Sequence, residues 1–145
     1  VAKKLDSTGE AIWYAAAVLQ KLGRSEEALD TFLEAEAVAP SARDPLLDYY
    51  FALACYDVRL YSAADARLVS VAKSAGPRIA AHAEKIRTDL ARALAQPPAP
   101  DVIAWYQARS LEAKARGSMR ASDAYSAEAR ALERRRGASA QEAAR

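Results

Sequence analysis

The chain reads as an all-α protein built from helical hairpins, and three observations carry that reading. Alanine makes up about a quarter of the 145 residues while glycine is scarce, a balance that favours helix over other states. No stretch sustains the two-residue alternation of a half-buried strand, and no Asn-Gly or Asp-Gly hairpin dipeptide occurs. The third observation is an internal repeat. AIWYAAAVLQKLGRSEEALDTFLEAEAVAP, from Ala11 to Pro40, is followed by a divergent copy from Leu46 to Gly76. Aligning Ala28 with Ala64 also superimposes Ala16 on Ala52, Leu19 on Cys55, Phe32 on Leu68 and Ala35 on Val71. Units of this kind bury their apolar faces only against neighbours and leave an extended surface.

The elements follow in order. Ser7 with Glu10 has the spacing of a capping box and predicts a helix start just after it. Ile12, Ala15, Ala16 and Leu19 then recur at three- and four-residue spacing. Leu22-Gly23 predicts a turn, with Ser25 as cap of a second helix whose apolar series is Ala28, Leu29, Phe32 and Ala35. Asp44-Pro45 supplies an acceptor at the cap and a proline at the first position of a third helix. The alanines allow close approach of helix axes. Units therefore fall at about 9–42 and 45–76, followed from Pro77 by a helix over 77–95 that closes the stack as a cap or begins a third unit. QPPAP at 96–100 breaks the chain. Asp101 can cap a further helix, and Gly117-Ser118 offers a turn that would make 101–136 a degenerate hairpin. One long helix is the alternative. Trp105-Tyr106 echoes Trp13-Tyr14, and 137–145 reads as a frayed or disordered tail.

The pattern Trp13, Ala16, Gly23, Ala28, Phe32, Ala35, Pro40 resembles the tetratricopeptide repeat. The second unit keeps Tyr49, Ala52, Tyr61, Ala64 and Leu68, but has Arg59 where the turn glycine would sit and Gly76 in place of the proline. The two units cover about half the chain. The resemblance implies a helix-turn-helix solenoid with a divergent helical C-terminal part. It also implies a concave face lined by the first helix of each pair, where a peptide or helix of a partner protein lies. Carried onto this chain, that face presents Trp13, Ala17, Gln20 and Lys21, then Tyr49, Leu53, Tyr56 and Asp57. The chaperone-binding branch of the family clamps a terminal carboxylate with a lysine and an asparagine. Trp13 and Ala17 stand in those places, which argues for an apolar, aromatic groove instead. Trp13 and Tyr49 have a competing role as inter-helix core, with Tyr50, Phe51 and Cys55 supplying the core side around Tyr49 and Tyr56.

Charge and chemistry narrow the function. The formal net charge is +2, distributed as −1 over residues 1–96 and +3 over 97–145. Arg134-Arg135-Arg136 suits a solvated helix end beside the dipole better than a nucleic-acid site, because Glu128 and Glu133 intersperse it and no nucleic-acid reading motif is present. His82 is the sole histidine and Cys55 the sole cysteine, so neither a histidine metal cluster nor an internal disulfide can form. A Cys55–His82 nucleophile pair and the Glu26, Asp30, Glu34 stripe read more simply as packing and a solvated face. No phosphate loop occurs and no cofactor is implied. No apolar run reaches the roughly 20 residues of a membrane span. The chain starts without methionine or a signal peptide, which suggests a processed form or a piece of a longer protein. Arginine outnumbers lysine 15 to 6, a composition associated with GC-rich bacterial genes. The expectation is a non-catalytic interaction or scaffold module. Self-association through end faces of the stack or the Trp105-Tyr106 helix is the alternative, with nucleic-acid binding third.

Overall fold

In the computed structural model, which describes residues 2–42 and 44–145 and the side chains of 9–41 and 44–145, the chain is all-helical. Among these residues there are seven α-helices and no strand: α1 (Ala2–Lys21), α2 (Ser25–Val38), α3 (Pro45–Asp57), α4 (Tyr61–Ser74), α5 (Pro77–Ala95), α6 (Pro100–Ala115) and α7 (Met119–Ala144). They fall into two compact units, Val1–Leu90 and Ala91–Arg145, and α5 runs across the boundary.

Three hairpins, α1–α2, α3–α4 and α6–α7, turn in the same way. In the first, the Gly23 amide donates to Gln20 O and the Arg24 amide to Leu19 O, both at 3.0 Å. In the second, Arg59 donates to Tyr56 O and Leu60 to Cys55 O; in the third, Gly117 donates to Lys114 O and Ser118 to Ala113 O. This paired pattern satisfies carbonyls that a helix end leaves open, and it needs one residue in the left-handed region. Gly23 has φ +78, Gly117 φ +87 and Arg59 φ +69. Arginine at Arg59 therefore adopts a conformation that glycine takes without steric cost. The departure at Arg59 changes the residue and leaves the turn intact.

Counting from the turn residue exposes a register in the third hairpin that the sequence did not disclose. Seven residues before it lie Ala16, Ala52 and Ser110; five after it lie Ala28, Ala64 and Ser122. All six are buried. In α6–α7, Ser110 Oγ donates to Ser122 O at 2.8 Å and takes the hydroxyls of Ser122 and Ser126 at 2.9 and 2.6 Å. Small side chains thus recur at one place in every hairpin, as close helix approach requires. The Trp105-Tyr106 echo falls outside this register, because Gln107 occupies the place of Trp13.

The core of the first unit is an aromatic knot. Trp13 of α1 lies 5.9 Å from Phe32 of α2 and 6.0 Å from Phe51 of α3, and the two phenylalanines stack at 4.9 Å. Over Phe51, 3.5 Å from its ring centre, lies the Arg67 guanidinium of α4, paired with Glu36 at 2.9 Å and Asp48 at 3.3 Å. Burial opposes the Arg67 charge, but its hydrogen bond to Glu36 and the surrounding groups raise its pKa above the ordinary value. Gly9 is held by contact: a methyl group there would come within 2.6 Å of Ala39 Cβ. In the second unit, Tyr106, Tyr125, Ala113, Ala129 and Leu132 are buried between α6 and α7.

Several helix boundaries differ from the sequence reading. α1 runs over Ala2–Lys21, so Ser7 and Glu10 stand within the helix and not at its start. Arg24 occupies the cap position of α2, and Ser25 turns its hydroxyl to Asp57 instead. Asp44 does cap α3, accepting from the Leu47 amide at 2.9 Å with Pro45 behind it. Ala99 precedes α6 with Pro100 at its start, which leaves Asp101 in the first turn, where a carboxylate still favours the helix dipole. Residues 101–136 form a hairpin rather than one helix. α7 continues through Gly137 to Ala144, where fraying was expected; one interior glycine costs only about 1 kcal/mol.

Candidate functional site

Two helix ends meet in the first unit to make a polar and aromatic surface. Residues near the C-termini of α1 and α3 stand side by side because each helix ends in the same turn. Gln20 Nε2 donates to Asp57 Oδ2 at 2.7 Å, and Ser25 Oγ donates to the same oxygen at 3.1 Å. The Asp57 carboxylate is thereby held by two neutral donors. Gln20 is buried, and its own carbonyl oxygen has no hydrogen-bond partner. Lys21 Nζ lies 5.2 Å from the centre of the Tyr50 ring, a cation–π geometry linking α1 to α3.

The tyrosines form two pairs. Tyr49 and Tyr50 lie 5.9 Å apart, and Tyr56 packs edge-on against Tyr61 of α4 at 5.8 Å. All four are half-buried, as is Leu53 between them on α3. Burial first, and the neighbouring Tyr50 second, raise the Tyr49 phenol above 10.0. Chemically the surface offers apolar ring faces, one fixed carboxylate and one ammonium. Those groups suit non-covalent recognition.

Of the eight residues expected on this face, Lys21, Tyr49, Leu53, Tyr56 and Asp57 are at least partly accessible, and Gln20 joins them by its bond to Asp57. Trp13 does not belong to it. Its exposure is 0%, both ring faces are packed, and its indole N–H donates to Ala39 O at 2.9 Å. A buried indole needs such an acceptor, and the chain leaving α2 provides it. Ala17 is also buried, at 7%. Tyr50 moves the other way. Expected on the core side, it is half-buried with Lys21 above it. Ser25 and Tyr61 were missed; a helix-cap motif and a repeat-alignment position had accounted for them. The common signal is that each follows a hairpin turn closely.

Elsewhere, Cys55 is buried in α3 whereas His82 stands exposed on α5. Among the described residues no group of three His, Cys, Asp or Glu side chains could hold a metal, and no helix is long and apolar enough to cross a membrane. Within the second unit Arg135 donates to Leu94 O and, at 3.0 Å, to Gln96 O. The middle of the arginine run is thus engaged with backbone, while Arg134 and Arg136 remain exposed. No protein-family model matches the chain, nor does any curated protein or solved structure.

Proposed function

We propose that the chain is a tetratricopeptide-like, solenoid-forming interaction module that binds a helix or extended peptide of a partner protein on the α1–α3 face. The observation that carries this reading is the linkage of the two helices on that face. The Gln20–Asp57 bond at 2.7 Å and the Lys21–Tyr50 contact fix its geometry, while Tyr49, Leu53 and Tyr56 stay partly open beside it. Aromatic side chains held in place before binding lose little entropy on contact and are enriched where binding energy concentrates. The polar groups add orientation, since a fixed carboxylate and a fixed ammonium discriminate between partners by charge.

A displayed library of helices and extended peptides tests the reading. Binders selected on the parent chain should lose about 2 kcal/mol or more of affinity to Tyr56→Ala. The Leu53→Asp variant should bind more weakly still, through desolvation of its charge. Selected binders that are indifferent to both changes would remove the α1–α3 face from the proposal.

A further inference from the structure

Asp57 carries a charge that the fold does not answer. It is the exposed last residue of α3, and the last turn of that helix holds no basic residue. A helix presents its negative dipole end there, so a carboxylate is the least favoured side chain for the place. α1 ends beside it, which brings the negative ends of two helices together. The two donors that hold Asp57, Gln20 Nε2 at 2.7 Å and Ser25 Oγ at 3.1 Å, are neutral and share one oxygen, Oδ2. Among the described residues no cation pairs with it. Lys21 lies over the Tyr50 ring, and Arg24 is paired with Glu27 at 2.6 Å.

A second acceptor lies beside the first. Gln20 is only 9% exposed, its nitrogen is engaged with Asp57, and its carbonyl oxygen has no hydrogen-bond partner. The covalent geometry of the amide keeps that oxygen within about 5 Å of Asp57 Oδ2. Buried acceptors without a donor are costly and uncommon. Here one adjoins a carboxylate with an oxygen still open, and both are served by N–H groups that carry positive charge. Leu53, one turn before Asp57 on the same side of α3, is half-buried and offers apolar surface to the stem of a long basic side chain.

We infer that the segment bound on the α1–α3 face carries a lysine or arginine whose charged group is received by Asp57 and Gln20. The inference rests on that face being the binding face and adds the identity of one partner side chain. Register follows from helix rise. Leu53 and Asp57 stand about 6 Å apart along α3. For a segment running along α3, the basic residue therefore stands one turn from an apolar one in a bound helix, or two residues from it in an extended strand. Lysine brings three N–H donors and arginine five. Either serves the open carboxylate oxygen and, after a small turn of the amide, the Gln20 oxygen.

The displayed library provides the test, read this time by composition. Selection on the parent should enrich lysine or arginine at that spacing from an apolar residue. Selection on Asp57→Asn should enrich the apolar residue alone, because asparagine keeps an acceptor for Gln20 and Ser25 but no charge. A binder from the parent selection should weaken about tenfold on Asp57→Asn, and about tenfold when its basic residue becomes glutamine. The two changes together should weaken it little more than either alone, as for groups in contact. The unfolding midpoint of Asp57→Asn should stay at or above the parent's, since a carboxylate leaves a helix C-terminus. Binders that need Tyr56 and Leu53 but carry no basic residue overturn this inference and leave the face standing. So do binders that carry one yet tolerate Asp57→Asn, or whose two losses simply add. A variant Asp57→Asn that unfolds early and weakens every binder alike gives Asp57 a structural role only and overturns it too. Binders indifferent to Tyr56→Ala and Leu53→Asp remove the face itself, and this inference with it.

Discussion

In α1–α2 and α3–α4 the tight places of the hairpin hold alanines; in α6–α7 the same places hold Ser110 and Ser122, bonded to each other. The turns differ in sequence as well, with glycine in the first and third and arginine in the second, yet all three make the same pair of backbone hydrogen bonds. Above the crossing the hairpins diverge further. The first unit ties its helices with Trp13, Phe32 and Phe51, whereas Gln107 takes the place of Trp13 in the second unit and is exposed. What persists is a volume limit and a backbone dihedral. Any residue small enough serves at the crossing, provided that its polar atoms find partners.

The largest test of this contrast is removal of the aromatic knot. Trp13→Ala should cost roughly 3–5 kcal/mol, read as a fall in the denaturant midpoint, because it opens a cavity and orphans Ala39 O. Gln107→Ala, at the equivalent place, should stay within about 0.5 kcal/mol. Equal losses would mean that the register drawn from the turns is wrong. The crossings come next. Ala28→Leu should overpack α1 against α2 and cost roughly 1–3 kcal/mol. In α6–α7, Ser110→Ala should cost about 1 kcal/mol, since it strands the Ser122 hydroxyl. The double change Ser110→Ala with Ser122→Ala should recover part of that loss, because both ends of the Ser110–Ser122 bond leave together and an alanine crossing remains, while the half-buried Ser126 hydroxyl still loses its bond to Ser110. A double mutant as unstable as the sum of its parts would show that the serines do more than fill the place of alanines.

The turn residues give a smaller effect of opposite sign in different hairpins. Gly117→Ala meets open space but a positive φ, so it should lose about 1 kcal/mol. Arg59→Gly should gain about 0.5–1 kcal/mol by relieving the same strain, provided the added freedom of the unfolded chain does not offset it; a loss would show that the arginine side chain outweighs its backbone. The smallest expectation is electrostatic. Tyr49 keeps its proton to higher pH in the folded state than the ordinary 10.0. Its contribution is complete below the unfolded value and is lost as pH rises through the folded one. Between about pH 9 and pH 11 the parent should therefore lose more stability than Tyr49→Phe, with unfolding midpoints as the readout.

The parts of this fold that sequence discloses act over a few residues. Pro45 after Asp44 fixes the backbone where it stands, Gly23 and Gly117 permit a positive φ that other residues resist, and each marks a real boundary or turn. Ser7, Ser25 and Asp101 have the right chemistry for caps but lie one to several residues inside helices, because helix ends are also set by packing and by the proline at Pro100. The binding face is less legible for the same reason. Trp13 and Tyr49 occupy one repeat position, yet the first is sealed by Phe51 of the next hairpin while the second stays half-open. No rule about spacing can separate them, since the decision rests on what the following unit brings. The serine crossing escaped notice because Ser110 and Ser122 look polar, and only their mutual bond makes them behave as small core residues.

Arg135 has a consequence of another kind. The carbonyl of Leu94 would, in a continuing helix, accept from the residue four places on; here that residue is Pro98, which has no N–H to give. Arg135 supplies the missing donor from 41 residues away and thereby closes α6 and most of α7 into a ring. The entropy lost on closing a ring grows only slowly with its length, so a contact across 41 residues costs little more than one across a shorter loop. Amides of α7 before Arg135 should then exchange with deuterium only when the whole ring opens. Those beyond Arg136 should exchange independently and early, turning one guanidinium into the boundary between two regimes of motion along a single helix.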